Sequence, residues 1–384
     1  MSEIKVNSIK GVGASAAAIT VNNTDGTCTA NITNKPNRNL IINGAMQVAQ
    51  RGTSNTTNGR GTVDRFANYY NGADEAPTQA QVDVASGTTP YTSGFRKALK
   101  ITNGNQTSGA GSTDYIWIQY KLEAQDIANS GWNYVSSSSF ITLSFWVKSS
   151  VAQDFKGYLR SKDGTSQMYP FATGSLTADT WTKVTKTISG NSNLQFDNDV
   201  EQGLEINIAP FFGTDLTNNA TTEDAWAAYV SANRTKDNTS TYWTTNDATF
   251  EITGVQLEVG SVATDFEHRS FGDELLKCQR YYQEVRAAAI TAQNDTTCRF
   301  NCPLFCEMRA EPSVGKGGSG NINVGDMVSA GSNSSSTPSS DGYSGDRLMM
   351  SAVVSGFSGL TQYRQYCHEL TADRLGLISC SAEL

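Results

Sequence analysis

Apolar and polar residues alternate in several separate runs of this chain, and this period of two constrains its fold more than any other feature. In the run 140–147 the odd-numbered residues are apolar, and the runs 115–122 and 204–208 place their apolar residues on the even positions. Successive side chains of a strand point to opposite faces, so each run predicts a half-buried antiparallel strand. Turn-rich loops separate the runs, and together they predict a β-sandwich.

One run changes phase in its middle. Phe250 and Ile252 share a face, but beyond Gly254 the apolar set resumes at Val255 and Leu257. An extra residue in one strand shifts the alternation by one position, so this pattern predicts a β-bulge at the glycine.

Composition narrows the classes of partner. The 384 residues carry a formal net charge of −8 and contain no block of Lys or Arg, so nucleic acid is not expected as a partner. Fifteen Tyr and six Trp provide enough apolar surface for a folded core. No apolar run approaches the length of a membrane span, and residues 1–5 do not resemble a secretory signal. We therefore expect synthesis in a cytoplasm and no membrane insertion.

The chain divides into four predicted units. Residues 1–38 form an extended N-terminal segment, 39–268 a β-sandwich, 269–286 a short helix, and 287–384 a second, C-terminal β domain. The fold class is therefore mostly β. Within the last unit, residues 315–345 are rich in Gly, Ser and Asn and predict a long loop. Residues 223–230 predict a short helix within the first sandwich.

The predicted helix carries a narrow apolar stripe. Leu275, Cys278, Tyr282 and Val285 are spaced 3-4-3, which places them on one side of a helix over 271–286. Two interpretations stay open. The stripe packs against its own chain, or it meets its copies around a symmetry axis.

Metal and cofactor chemistry finds little support. Cys298, Cys302 and Cys306 fall on one face of a predicted strand, where thiols four residues apart stand about 13 Å from each other and cannot share an ion. They are interpreted as buried hydrophobic residues. The acidic loop 197–201 fits either a calcium site or a solvated turn. No cofactor and no metal are expected.

Catalytic motifs are also missing from the sequence. Neither His268 nor His368 lies near a nucleophile in a recognisable catalytic motif, so we expect no enzyme. Glycoside cleavage needs only two carboxylates and stays open as an alternative.

Aromatic residues in predicted loops favour a binding function. Trp132 and Tyr134 lie in one such loop, and Tyr242 and Trp243 lie in another, each among small polar residues. Flat rings of this kind stack against sugars, so these four residues are the candidate glycan contacts. The alternative is packing at the edge of the sandwich.

Several motifs resemble those of tail-fibre proteins from marine and cyanobacterial phages. The opening of the sandwich reads NLIINGAMQVAQRG at 39–52 and VDRF at 63–66, and its far end reads ITGVQLEVG at 252–260. The remaining similar motifs are ATDFE at 263–267, CQRYY at 278–282 and SAEL at 381–384. Residues 178–184, ADTWTKV, are similar to a strand of jelly-roll carbohydrate-binding modules.

This resemblance implies a jelly-roll sandwich in a homotrimeric, non-enzymatic virion fibre. The N-terminal segment would attach to phage tail or adaptor proteins. The helix stripe would lie at the trimer axis, and the C-terminal domain would face a host cell-surface glycan or other receptor. The protein would be made in the host cytoplasm and located in the virion. A decorating fibre without a sugar site and a polysaccharide-degrading tailspike are the alternatives.

Overall fold

The computed structural model describes residues 7–10, 12, 19–21, 24, 28–30, 36–318, 321–326, 332–334, 337–343, 348–369 and 377–384. The structure is 42% strand and 8% helical, so the protein is mostly β as expected. None of the helices in these ranges is long and apolar enough to cross a membrane.

The N-terminal segment holds a small antiparallel sheet. Its three strands are β1 (Ser8–Ile9), β2 (Ile19–Val21) and β3 (Cys28–Ala30), with β2 in the middle. Much of the predicted attachment segment 1–38 lies outside the described residues.

Twelve of the strands that the structure describes follow in the sandwich. They are β4 (Ser54–Asn55), β5 (Phe66–Asn71), β6 (Thr78–Asp83), β7 (Lys97–Thr102), β8 (Tyr115–Glu123), β9 (Phe140–Ser149), β10 (Asp154–Ser161), β11 (Gln167–Ser175), β12 (Thr182–Ser189), β13 (Gln202–Phe212), β14 (Ala227–Ala228) and β15 (Thr249–Val259). The short helices α1 (Thr89–Thr92), α2 (Ala124–Ala128) and α3 (Thr241–Thr244) connect them, with 3₁₀ turns at Thr214–Leu216 and Ser231–Asn233.

These strands form two six-stranded antiparallel sheets that pack as a jelly-roll sandwich. The front sheet has the order β14-β11-β10-β13-β8-β5, and the back sheet has the order β12-β9-β15-β7-β6-β4. The alternation in β8 turns Ile116, Ile118 and Leu122 into the shared core, where all three are buried. The predicted helix over 223–230 is wrong, because residues 223–225 form a turn and β14 follows it to pair with β11.

The predicted bulge in β15 is confirmed. The register with β9 shifts between Thr253 and Gln256, and Gly254 has a φ of +64°. A Cβ at this position would lie 2.6 Å from the ring of Phe95, so glycine is required both by the backbone and by the space. The bulge keeps both halves of β15 buried on the same side.

The helix predicted over 271–286 is shorter in the structure. α4 runs from Phe271 to Gln279, and the Ser270 side chain caps it by accepting a hydrogen bond from the Asp273 amide. The chain then turns and enters β16 (Tyr282–Val285). The consecutive tyrosines and Val285 are residues that favour strands, and β16 pairs with a strand close to the C-terminal end of the sequence.

The stripe assigned to a trimer axis is therefore divided. Tyr282 and Val285 belong to a strand, and Cys278, Tyr282 and Val285 are buried within their own chain. Leu275 is half-buried on α4. The prediction that these four residues form a common helical face is wrong for this reason.

Two sheets with one shared core form the C-terminal domain, as expected for a second sandwich. The strands after β16 are β17 (Ala289–Ala292), β18 (Thr297–Pro303), β19 (Ser313–Gly317), β20 (Ile322–Gly325), β21 (Ser332–Ser334), β22 (Ser339–Tyr343), β23 (Met349–Ser355), β24 (Gln365–Glu369) and β25 (Leu377–Ser381). The sheet orders are β16-β25-β19 and β21-β20-β24-β17-β18-β23-β22. The single long loop predicted over 315–345 is wrong, because β20, β21 and β22 lie within it.

A buried ionic cluster joins the two domains. Glu383, from the C-terminal domain, forms ion pairs with Arg65, with Arg51 at 3.2 Å and with Arg60 at 3.3 Å. The Arg65 guanidinium also lies 3.4 Å from the ring centre of Tyr281. We call Glu383 with Arg51, Arg60 and Arg65 the arginine cluster. Four of the segments that carry the family resemblance, 39–52, 63–66, 278–282 and 381–384, contribute to it or contact it.

Candidate functional site

The structure places three of the four candidate glycan contacts in the core. Trp132 is 3% exposed, and Tyr242 and Trp243 are 0% exposed. The Tyr242 hydroxyl donates to the Ile101 carbonyl at 3.1 Å. These three assignments are wrong, because the loops that carry the rings fold inward and close the ends of the sandwich.

Tyr134 has a different environment. Its half-buried ring packs edge-on against Phe196, with 5.0 Å between the ring centres. Its contact with a glycan stays a prediction.

The accessible aromatic surface lies on the outer face of the front sheet. Since the even-numbered residues of β8 face the core, Tyr115 and Trp117 face outward, and Tyr69 of β5 pairs directly with Trp117. The ring centres of Tyr115 and Trp117 are 4.3 Å apart in a stacked arrangement, and those of Tyr69 and Trp117 are 6.0 Å apart. All three rings are half-buried. We call Tyr69, Tyr115 and Trp117 the aromatic row.

Polar side chains continue this face along β8 and β13. The Gln119 amide donates from Nε2 to Asn207 Oδ1 at 3.0 Å, and Asn207 is held directly opposite Gln119 by the strand register. The Nδ2 group of Asn207 and the Nε1 group of Trp117 are buried without a hydrogen-bond partner. Buried donors without a hydrogen-bond partner are uncommon in a folded protein.

The segment 213–235 brings further groups to the same face. The Arg234 guanidinium lies 5.1 Å from the ring centre of Trp117, and its Nε donates to the Tyr229 hydroxyl at 3.2 Å. Arg160 of β10 lies 3.6 Å from the ring of Tyr229. Burial raises the pKa of the neighbouring Tyr158 well above its usual range, so its hydroxyl stays protonated. The face thus combines rings, amide donors and a guanidinium.

This combination suits uncharged polyhydroxylated ligands. A half-exposed ring such as Trp117 offers an apolar surface to the C–H face of a sugar. The buried Gln119 and Asn207 amides bond each other and hold the strands that present the ring. The sequence signal for the site was the odd-numbered residues of β8. The alternation along a strand does not indicate which of its faces the rest of the chain leaves accessible.

A second aromatic pocket lies on the outer face of the back sheet. Its volume is about 520 Å³, and Trp146, Phe95 and Phe266 form its apolar part. His268 closes one side, with its Nε2 lying 2.9 Å from the Ser93 carbonyl oxygen. The half-buried Trp146 provides a matched control for Trp117.

The acidic loop 197–201 forms an exposed turn, and the predicted strand of cysteines ends at Pro303. The placement of Cys306 on that strand face is wrong, because Cys306 lies beyond the strand and is half-buried. Asp199 accepts a hydrogen bond from the Glu201 amide at 3.0 Å within an exposed turn. Cys298 and Cys302 are buried in the C-terminal core, and burial raises their pKa values to about 11 and about 12. Among the residues that the structure describes, no group of three or more acidic, His or Cys side chains is arranged to hold a metal.

Neither a family model nor a curated protein matches the chain. Among solved structures, the enzymatically active domain of tailspike protein 4 from bacteriophage CBA120 matches at 9% identity and a TM-score of 0.31, over 59% of this chain and 22% of that one. The N-terminal cellulose-binding domain of Cellulomonas fimi β-1,4-glucanase C matches at 11% identity and a TM-score of 0.27, over 56% of this chain and 99% of that one.

The family 11 carbohydrate-binding module from Clostridium thermocellum matches at 11% identity and a TM-score of 0.25, over 52% of this chain and 91% of that one. Likeness at these values concerns the β-sandwich fold alone. The chain spans about a fifth of the tailspike domain that it matches.

Proposed function

We propose that this chain is a non-enzymatic tail-fibre protein that binds a glycan on the host cell surface through the outer face of its front sheet. The observation that carries the proposal is the aromatic row, in which Trp117 and Tyr69 lie side by side next to the amides of Gln119 and Asn207. The face leaves these rings half-exposed, whereas the Gln119 and Asn207 side chains are buried next to them and link the strands β8 and β13.

The fibre context of this proposal is supported by the motifs described in the sequence. They are similar to those of phage tail fibres, and for this reason we include a homotrimer, attachment to tail or adaptor proteins through residues 1–38, and location in the virion. The trimer contact is proposed on the exposed side of α4, where Phe271 is 56% and Leu276 is 52% exposed. Large apolar side chains exposed to this extent on one short helix favour a partner surface.

The proposal is tested by replacing Trp117 with alanine. An aromatic contact contributes about 0.5–1.5 kcal/mol beyond its buried area, so Trp117→Ala is expected to weaken glycan binding about tenfold. The probe is a printed array of bacterial surface polysaccharides, followed by calorimetry with the polysaccharide that binds best.

Trp146→Ala is the matched control, because it removes a half-buried indole from the opposite sheet. It is expected to leave the affinity unchanged. Thermal unfolding of both variants establishes that the fold is retained. Equal binding by the Trp117 variant and the wild type would overturn the assignment of this face.

The absence of enzymatic activity belongs to the same proposal. Incubation of the bound polysaccharide with the protein is expected to release no new reducing ends. Release of oligosaccharides would favour the tailspike alternative instead.

A further inference from the structure

A groove of about 810 Å³ lies at the end of the sandwich where β8 finishes. One wall is the chain segment 36–42, the second is the turn around α2 up to Gly131, and the third is α4 with the residues that follow it. Trp117 and Glu123 are six residues apart on β8, so the groove lies about 20 Å from the aromatic row. It is therefore separate from the face described above.

Four cationic side chains line this groove. They are Arg38, Arg269, Lys277 and Arg280, and the single carboxylate among the lining residues is Asp126. The chain as a whole has a net charge of −8. Arg38, Arg269 and Arg280 are each paired with a carboxylate outside the lining, so Lys277 is the lining cation that the described carboxylates leave without an ion pair. An unpaired cation attracts anions.

The three arginines are fixed in place by carboxylates behind the groove. Arg280 donates from Nε and Nη2 to Glu123, both at 3.0 Å. Arg269 lies 3.6 Å from Glu274 in an ion pair. Arg38 lies 3.6 Å from Glu258 in another. Side chains held by such pairs lose little further conformational freedom when a ligand binds.

Two of these cationic side chains have a polar group without a partner. The Lys277 ammonium makes no hydrogen bond or ion pair with the described part of the chain, although it is half-buried in the groove wall. The Nε group of Arg269 is buried and has no hydrogen-bond partner. The unpaired ammonium of Lys277 is suited to a carboxylate, whereas the Arg269 Nε group is enclosed by the protein.

The remaining polar lining is neutral. Asn37, Gln125, Asn129 and Ser130 present amide and hydroxyl groups, which donate to and accept from sugar hydroxyls. Leu40 and Val259 add a small apolar surface. The lining thus offers a cationic part for an acid group and a neutral polar part for hydroxyls.

We propose that this basic groove is a second saccharide-binding site, selective for sugars that carry a carboxylate. The carboxylate would lie near Lys277, and the neutral hydroxyls of the same chain would contact Gln125 and Asn129. The protein would then bind an acidic polysaccharide through this groove and neutral sugar residues through the aromatic row.

The test compares two probes that differ in the charge of their carboxyl groups. Calorimetry is performed on the full chain with hexameric oligogalacturonate and with its methyl ester, in which the carboxylates are neutral. We expect the acidic hexamer to bind at least tenfold more tightly, and we expect its affinity to fall as the NaCl concentration rises from 50 to 300 mM. Equal affinities for the two probes, or an affinity that salt does not change, would overturn the proposal.

Variants separate this site from the aromatic row. Lys277→Gln removes the unpaired ammonium and is expected to weaken binding of the acidic hexamer about tenfold, whereas Lys183→Gln, at an exposed position of β12, is expected to have no effect. Trp117→Ala is expected to leave this binding intact. Loss with Trp117→Ala and retention with Lys277→Gln would assign the acidic sugar to the aromatic row and refute the groove.

Discussion

Glu383 shows at the scale of one residue how charge and burial oppose each other. Burial alone would raise the pKa of this carboxyl, but Arg65, Arg60 and Arg51 outweigh it and hold the pKa at about 2. The pKa is lower in the folded state than in the unfolded state, so ionised Glu383 stabilises the fold above about pH 4.5. This contribution is lost as the pH falls from about 4.5 towards 2.

The ionisation of Asp64 affects the stability of the fold in the opposite direction. Burial raises its pKa to about 6 although Arg51 lies 3.6 Å away. The folded state therefore binds a proton more readily than the unfolded state between about pH 4 and pH 6. In this window Asp64 makes the protein less stable as the pH rises.

Neutralising Glu383 tests the arginine cluster. Glu383→Gln removes the carboxylate that pairs with the buried Arg65 and with the half-buried Arg51 and Arg60, and we expect a loss of about 3–5 kcal/mol in the free energy of unfolding at pH 7. Urea unfolding measures this loss. We also expect the variant to lack the decline in stability that the wild type shows below about pH 4.5.

The matched control is Glu311→Gln, at an exposed position of the same domain. Its free energy of unfolding is expected to stay within about 0.5 kcal/mol of the wild type. If the two variants were equally stable, the arginine cluster would not stabilise the contact between the two domains.

At the scale of the element, the bulge in β15 depends on one glycine. Gly254→Ala places a methyl group against the Phe95 ring at a φ of +64°, and we expect a cost of about 2 kcal/mol in unfolding free energy. Gly109→Ala is the control, because a Cβ there meets nothing within 4 Å. A Gly254 variant as stable as this control would show that the strand absorbs the methyl group.

The sequence predicted those elements whose local pattern and tertiary environment agree. The alternation along β8 and the phase change at Gly254 both follow from burial on one face, and both are confirmed. The helix over 271–286 failed at its second half because β16 gains a hydrogen-bonded partner in β25, a contact between residues almost a hundred positions apart. Periodicity within a short window contains no information about such a partner.

The binding residues were harder to predict for a similar reason. Trp243 lies among Ser and Thr residues and Trp117 lies between two isoleucines, yet Trp243 packs against Phe211 in the core and Trp117 faces outward. Which of two tryptophans becomes accessible depends on the path of the whole chain. The candidate site therefore lies on a strand and not in the loops where the sequence predicts it.

At the scale of the whole molecule, the proposed fibre requires a trimer. Light scattering after size exclusion is expected to give about three times 41.3 kDa. Leu276→Asp places a charge on the exposed side of α4 and is expected to reduce the mass to that of a monomer, because a buried unpaired charge destabilises an apolar interface.

Tyr363→Asp provides the control for this change, since Tyr363 is an exposed residue in a turn of the C-terminal domain. It is expected to leave the mass unchanged. A monomeric wild type would refute the trimer and leave a single-chain glycan-binding protein. A trimer that survives Leu276→Asp would show that the contact between the chains lies away from α4.

The arginine cluster also has a consequence for the order of events during synthesis. Arg65 and its carboxylate partner are 318 positions apart in the chain. At about 5–20 residues per second, a ribosome needs roughly 15 to 65 seconds to proceed from one to the other. During that interval the three guanidinium groups lack the Glu383 carboxylate and stay solvated by water. Burial of the junction between the two domains therefore waits until Glu383 has been translated.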